Sequence, residues 1–276
     1  METEQDEILR VENGVGVVPV RTPTLPPATH TNVWMLGDHH VTVVDPASPY
    51  PEEQSRLDEI LEMVMVEKIV LTHHHADHVG GALKLQETTG AKIAAHPLTQ
   101  QLLDFQVDEL LNEGDVISTD AGFWKVLHTP GHAPGHICLR NAGIGTIIAG
   151  DMVAGIGTIL IDPPQGNLAE YLASLTRLRD LKPRLLMPAH GPVIENGEAY
   201  LNQYIEHRHE RTRQIVSHLS EIPEANADEL AQAIYAELVP LSFLPIAARQ
   251  VTAHLEWLKQ EGLIVEQGNG FAVVTS

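Results

Sequence analysis

Between residues 73 and 78 the chain carries His73, His74, His75, Asp77 and His78, a density of ligating groups that an ordinary core does not tolerate. Burying so many imidazole and carboxylate groups without partners is costly, so a fold that encloses them needs a shared cation. The run follows Lys68–Leu71, an apolar stretch that reads as a short buried strand. In extended chain, residues i and i+2 project to one side, so His73 and His75 can grip one ion while His74 points away. Asp77 and His78 fall at the turn into the next helix and can face a second ion.

Three other segments deliver ligands in the same manner, each just past an apolar strand pattern. Thr129-Pro130-Gly131-His132 offers His132, Ala149-Gly150-Asp151 offers Asp151, and Pro188-Ala189-His190-Gly191 offers His190. The expected arrangement is His73, His75 and His132 on one ion, Asp77, His78 and His190 on the other, and Asp151 between them with one oxygen for each. An open position on each ion for a shared water separates such a catalytic site from a structural one. Nitrogen and oxygen ligands suit zinc and also iron or manganese, and the lack of a carboxylate at position 75 favours zinc.

Strand and helix alternate through the first two thirds of the chain. Strands are expected at Val15–Val20, Val33–Leu36, Val41–Val44, Lys68–Leu71, Lys92–Ala95, Phe123–Leu127, Ile137–Leu139, Thr146–Ala149 and Arg184–Met187. Helices are expected at Glu52–Val66, Gly80–Glu87 and Leu168–Arg179, with Leu98–Leu111 helical or irregular. Metal-ligand types at strand ends mark an α/β layered protein with its site on the rim. Beyond Ala199 the pattern becomes helix (Tyr200–Leu219), a turn (Glu221–Asn226), helix (Ala227–Leu238), helix (Ala247–Gln260), then a hairpin turning on Gly268-Asn269-Gly270. That order is a winged helix. The boundary falls near Arg213, giving a catalytic domain over 1–213 and a C-terminal domain over 214–276.

The set His73-His74-His75-Ala76-Asp77-His78, Gly131-His132, Gly150-Asp151 and His190-Gly191 resembles the motifs of the metallo-β-lactamase superfamily, over about residues 15 to 200. With the segment from Tyr204 to Arg211 and the winged-helix pattern, it is similar to the β-lactamase-like protein 2 branch. Thr129-Pro130-Gly131-His132 with Gly135-His136 is shared with the glyoxalase II family. The resemblance implies a four-layer αββα sandwich with a small C-terminal winged-helix domain over the active-site side, and zinc at the residues named above. It also implies hydrolysis, in a branch that includes a single-stranded-RNA endonuclease and thioesterases acting on acyl carriers.

Two divalent ions bring the pKa of a bridging water from about 15.7 toward neutrality. The expected activity is therefore that of a dinuclear hydrolase using a metal-bridging hydroxide, with Asp77 as both ligand and catalytic orienter of the nucleophile. A thioester or ester of a small acyl group suits such a site best, because a leaving thiolate needs no general acid. Alternatives are a single-stranded RNA endoribonuclease, a β-lactam or lactone hydrolase, and a non-enzymatic winged-helix interaction protein. The net charge of −20, from 37 acidic and 17 basic residues, disfavours RNA, and 4% aromatic content leaves few stacking platforms. Ten acidic and five basic residues from Leu201 onward give the C-terminal domain the wrong sign of charge for reading DNA. It is expected instead to roof the cleft or to form an oligomer contact. The exception to the acidic field is the stretch with Arg177, Arg179, Lys182, Arg184, Arg208, Arg211 and Arg213, which could hold an anionic carrier if several of them faced the cleft.

His128 and His136 are candidates for supporting or substrate contacts, as is His209. Histidines 30, 39, 40, 96, 207, 218 and 254 are expected at the surface or behind the ligands. The single cysteine, Cys138, excludes a disulfide framework and reads as an inert core thiol. Gly80-Gly81 reads as close packing of a helix start, and Gly155-Ile156-Gly157 as a flexible rim loop. The acidic opening METEQDEILR is unlike a secretory signal, and no apolar run is long enough to span a membrane, so a cytoplasmic protein is expected.

Overall fold

The computed structural model describes residues 8–222 and 224–274. Most of the acidic opening segment, and Pro223 in the turn expected at Glu221–Asn226, lie outside the described residues. Two sheets stack face to face. The first has seven strands in chain order: β1 (Leu9–Glu12), β2 (Val15–Arg21), β3 (His30–Leu36), β4 (His40–Val44), β5 (Met65–Leu71), β6 (Lys92–Ala95) and β7 (Glu109–Leu110). The second has six, again in chain order: β8 (Val116–Thr119), β9 (Gly122–His128), β10 (Ile137–Asn141), β11 (Thr146–Gly150), β12 (Leu185–Pro188) and β13 (Ile194–Glu195).

The period-2 alternation of strand side chains divides each strand between two cores. Val15, Val17, Trp34, Leu36, Val44 and Val70 meet Trp124, Val126, Ile137, Leu139, Ile148 and Met187 between the sheets. The opposite parity of the first sheet, such as Val18, Val33, Val43 and Ile69, packs under α1 (Pro51–Leu61) and α3 (Ala82–Thr89). That of the second sheet, including Leu127, Cys138, Ile147 and Leu186, packs under α5 (Leu168–Asp180) and α6 (Gly197–Glu221). Both faces of both sheets are therefore covered, which explains the nearly continuous apolar strands. The expected αββα layering is present.

Element bounds differ from the sequence expectation in instructive places. The first helix stops at Leu61 rather than Val66, because Met65 and Val66 pair with His40 and Val41 as the start of β5. The helix expected at Gly80–Glu87 is two pieces, α2 (Ala76–Val79) and α3, divided at Gly80-Gly81. A Cβ on Gly81 would lie 2.1 Å from the Pro46 carbonyl oxygen, so this pair does mark close packing. Gly155 is likewise packed rather than a free rim residue: its Cβ would meet the Pro192 carbonyl at 2.3 Å. Leu98–Leu111 holds only the short α4 (Pro97–Gln100) and β7. Strands β1, β7, β8 and β13 have no counterpart in the sequence reading.

The C-terminal part has the expected order, with α6 followed by α7 (Ala227–Tyr235), α8 (Leu244–Gln260) and the hairpin β14 (Ile264–Gln267) and β15 (Gly270–Val273). Asn226 and Glu229 form a capping box that starts α7. The helix α8 begins three residues before the expected Ala247, with a proline tolerated in its first turn. Crossing residue 213 without a break, α6 gives Leu201, Tyr204 and Ile205 to the core under the second sheet. Further along, it gives Ile215 and Leu219 to the core of the winged helix. Among the described residues no helix is long and apolar enough to cross a membrane.

Strand direction places the site. Strands β4 and β5 are parallel, as are β11 and β12, while β9 reverses twice through β10 to run with β11. The C-terminal ends of β4 and β5, and of β9, β11 and β12, thus gather at one edge of each sheet. Bonds from Ile137 N–H to the Thr72 carbonyl and from Asn32 N–H to the Ala189 carbonyl tie the sheets together there.

Candidate metal centre

The seven expected ligands converge at this edge in two acceptor-rich clusters joined by Asp151. In the first, His73 Nε2, His75 Nδ1 and His132 Nε2 stand 2.9 to 3.2 Å apart. Their protonation follows from the bonds on the far side of each ring. Thr72 Oγ1 donates to Asp45 Oδ2 at 2.6 Å, so it accepts from His73 Nδ1–H at 3.0 Å. His132 Nδ1–H donates to the Leu160 carbonyl at 2.8 Å. Both Nε2 atoms are then bare lone pairs facing one another at 3.2 Å, an arrangement that repels unless a cation lies between. Tetrahedral zinc with bonds near 2.0–2.1 Å separates its nitrogens by about 3.3 Å, so the spacing fits.

The second cluster repeats this logic. His78 Nδ1–H donates to Asp45 Oδ2 at 2.8 Å, leaving Nε2 bare at 3.5 Å from Asp151 Oδ1. His190 Nδ1–H donates to the His30 carbonyl, and its Nε2 faces Asp151 Oδ1 at 3.4 Å and Asp77 Oδ2 at 3.6 Å. His78 Nε2 and Asp151 Oδ1 are buried and, among the described residues, have no hydrogen-bond partner. Asp151 Oδ2 turns to the first cluster, 3.4 Å from His132 Nε2. One carboxylate thus offers an oxygen to each group. With their second nitrogens unprotonated these buried groups have no donor among them, which fits divalent cations; without a cation, protons on His78 and His190 take that place beside Asp151.

The electrostatics divide along the same line. Burial opposes a charge on His78, but Asp151 and Asp45 outweigh it and hold its pKa well above the ordinary imidazole value. His190 rises too, with Asp151 overcoming its burial. Burial lowers His73 and His132, and pushes His75 down to about 2. Burial works against ionised Asp151, yet His190 and His78 keep its pKa well below the usual carboxylate range.

The residues around these ligands contain one that the sequence reading missed. Asp45, buried at the end of β4 with φ of 52°, accepts from Thr72 N–H and Thr72 Oγ1 as well as from His78. It was a lone aspartate after a strand, distinguishable only by sharing its position in the topology with Asp151. Such carboxylate–histidine pairs fix tautomer and ring plane. Asp45→Ala is expected to weaken binding of the ion at His78 by about 10- to 100-fold, read by chelator competition.

His136, a candidate from sequence, is fully buried, and its Nε2 accepts the Asp151 N–H at 3.0 Å while Nδ1–H donates to Thr129 Oγ1. It braces the loop that presents Asp151. His128 lies outside the site, stacked on His96 with ring centroids 4.1 Å apart and bonded to the Pro134 carbonyl. His209 packs near Trp257, its ring 6.2 Å away, and does not line the cleft. His74 points away from the clusters to Gln165 Oε1. His254, expected near the surface or behind the ligands, is fully buried against α6, bonded to Thr212 Oγ1. Cys138 is buried, and burial pushes its thiol up to about 12.

Over the two clusters lies a cavity of about 480 Å³. Its floor is His75, Asp77, His132, Asp151 and His190, and one wall is the Pro23–Ala28 loop. The winged-helix domain covers it with Tyr235, Val239, Phe243, Ile246 and Ala247. The basic run from Arg177 to Arg213 contributes nothing to this lining. Arg177 pairs with Glu113, Arg179 with Asp180, Arg184 with Glu12, and Arg213 with Glu206 and Glu210. Arg208 and Arg211 lie on tyrosine rings. Arg249 lines the cavity and is held in a two-pronged pair by Asp162.

Comparison with known proteins agrees with this geometry. Residues 26–190 match the family model described as the metallo-beta-lactamase superfamily, and residues 227–271 match the beta-lactamase associated winged helix domain. The chain is 30% identical over 249 residues to a beta-lactamase-like protein 2 homolog of Drosophila melanogaster, covering 84% of this chain and 83% of that one. It is 31% identical over 189 residues to an atrochrysone carboxyl ACP thioesterase of Aspergillus fumigatus, covering 64% and 56%. A crystal structure of a beta-lactamase domain protein from Burkholderia ambifaria superimposes with a TM-score of 0.88 at 21% identity, over 99% of this chain and 95% of that one.

Proposed function

The chain belongs to the metallo-β-lactamase superfamily, and from that premise we propose that it is a dinuclear metallohydrolase cleaving a thioester or ester of a small acyl substrate. The observation that carries the reading is the mostly apolar cavity, roofed by the winged helix, whose floor is a double cluster of bare acceptors. In this reading His73, His75 and His132 hold one divalent cation, Asp77, His78 and His190 the other, and Asp151 serves both. Zinc is the preferred metal, because the donors are imidazole and carboxylate and one group of three is all nitrogen. When bound, the pair of cations supplies an activated water near neutral pH and polarises the acyl carbonyl oxygen.

The protein groups do the rest. Asp77 stands on the cavity floor beside His190 and can accept the hydrogen bond that aims a nucleophilic water. The apolar walls hold the acyl group and exclude bulk water, which strengthens every electrostatic contact inside. A thiolate can depart unprotonated, which matches a floor without a committed proton donor. We divide the chain at 213/214 into the catalytic domain and a winged-helix domain acting as roof, in a cytoplasmic enzyme. An RNA substrate draws no support from the site, since none of the basic run it would need lines the cavity.

The test is a panel of acyl-coenzyme A and acyl-N-acetylcysteamine thioesters, a β-lactam, a lactone and single-stranded RNA. Turnover of thioesters, lost on chelation and restored by zinc, is the expected result. Absence of thioester turnover above that of the chelated protein, with any other member of the panel cleaved, overturns the substrate class.

A further inference from the structure

The loop between β11 and α5 passes beside the metal centre, and four of its residues, Thr158 to Ile161, are gripped from the C-terminal side. Ile159 N–H donates to the Tyr204 hydroxyl at 3.0 Å. Arg208 Nη2 donates to the Ile159 carbonyl and to Thr158 Oγ1. Ile161 N–H donates to Gln250 Oε1 at 3.0 Å. Leu160, between them, turns its carbonyl the other way and receives His132 Nδ1–H at 2.8 Å. Ile159 and Ile161 turn backbone groups toward Tyr204, Arg208 and Gln250 while the Leu160 carbonyl between them meets His132, so fixing the two flanking residues also fixes where that oxygen points.

The grip is built from groups that are costly to bury. Arg208 is 2% exposed, and among the described residues no carboxylate pairs with it. Its charge is met by the Ile159 carbonyl and by the faces of Tyr171 and Tyr204, 5.2 and 5.7 Å from the ring centroids. Gln250 is 7% exposed on α8, in the winged helix proper. A guanidinium and an amide withdrawn from water in this way destabilise the fold unless their bonds are kept.

We propose that Tyr204, Arg208 and Gln250 are positioning residues for the metal centre. By clamping Thr158–Ile161 they hold the Leu160 carbonyl that sets the tautomer and plane of His132, so the C-terminal domain, through Gln250, helps to build the first ion site as well as covering it. This rests on the reading of His132 as a ligand.

The experiment uses the full-length chain and titrates zinc against a chromophoric chelator, resolving the two ions. Gln250→Met, which keeps the volume and removes the acceptor, is expected to weaken the ion at His73, His75 and His132 by about 10- to 100-fold. The other ion should change by less than about threefold. Gln250→Glu, which keeps an acceptor oxygen, should restore most of the loss. Leu230→Ala, in the winged-helix core away from the clamp, should lower the Tm without changing either affinity. Should Gln250→Met not fold, Tyr204→Phe removes the acceptor for Ile159 N–H and carries the same test.

Unchanged affinity in a folded Gln250→Met, or equal weakening of both ions that tracks Tm across all variants, overturns the proposal. His132→Ala separates the two levels of inference. If it leaves both ions bound as tightly as before, the ligand reading fails and this proposal with it. If it removes the first ion while Gln250→Met does not, only the clamp is wrong.

Discussion

Asp151→Ala is expected to lower kcat/KM by at least about 10³-fold, equivalent to about 4 kcal/mol of transition-state stabilisation, and to reduce bound zinc below two ions per chain. Asp151 directs Oδ2 toward His132 and Oδ1 toward His78 and His190, so its removal takes a donor from both clusters at once. It also leaves His78 and His190 without the carboxylate that offsets the cost of burying charge on them. Asp151→Asn should retain more metal, because one oxygen survives, but its neutral amide cannot serve two cations. Metal content by elemental analysis and turnover of the best thioester measure the two effects separately. Two ions retained with activity within tenfold of the parent would show that Asp151 does not serve both clusters.

The convergence of the candidate ligand set was legible because its residue types contradict their surroundings. Imidazoles and carboxylates just past apolar strands are poor core material, and strand direction alone brings such ends together once the sheets form. Asp45 escaped notice for the complementary reason. A single aspartate after β4 is unremarkable until the parallel pairing of β4 with β5 sets it beside Thr72 and His78. The layering was readable from parity, since Val17 and Val18 must face different cores. The break at Gly80-Gly81 depended on the close approach of Pro46, which no local pattern encodes.

The basic run shows the opposite failure. Seven cations within one stretch suggest a surface for an anion only while their partners are unknown. Helix and strand geometry then assigns Arg177 to Glu113 and Arg184 to Glu12, residues far away in sequence. The winged-helix pattern was equally ambiguous between roof, reader of nucleic acid and assembly contact. Its apolar edge, with Phe243 and Ile246 lining the same cavity as Asp77 and His190, favours the roof. Composition can set the sign of the whole field, but the use of each charge is decided by packing.

The metal-free protein is expected to lose stability steeply between pH 7 and pH 5, while the zinc-loaded protein resists. Burial holds His75 at a pKa of about 2, and lowers His73, His132, His136 and His254 as well. Below pH 6.5 the unfolded chain takes up protons at these positions and the folded chain does not, so stability falls as pH falls. His75 alone is expected to cost roughly 2 kcal/mol of stability by pH 5. His78 and His190 act with the opposite sign, because their pKa values are raised: their stabilisation is complete below pH 6.5 and is lost as pH rises through the folded values. More groups are lowered than raised, so the acid side dominates, and a domain with about 5–15 kcal/mol of stability is brought close to unfolding. Bound cations compete with protons for the same nitrogens and move this loss to lower pH. His254→Asn offers a check inside the argument, since it can keep the donor to Thr212 but cannot take up a proton, and it should flatten the acid slope. A metal-free Tm that stays level from pH 7 to pH 5 would mean that these imidazoles are not held neutral by the fold.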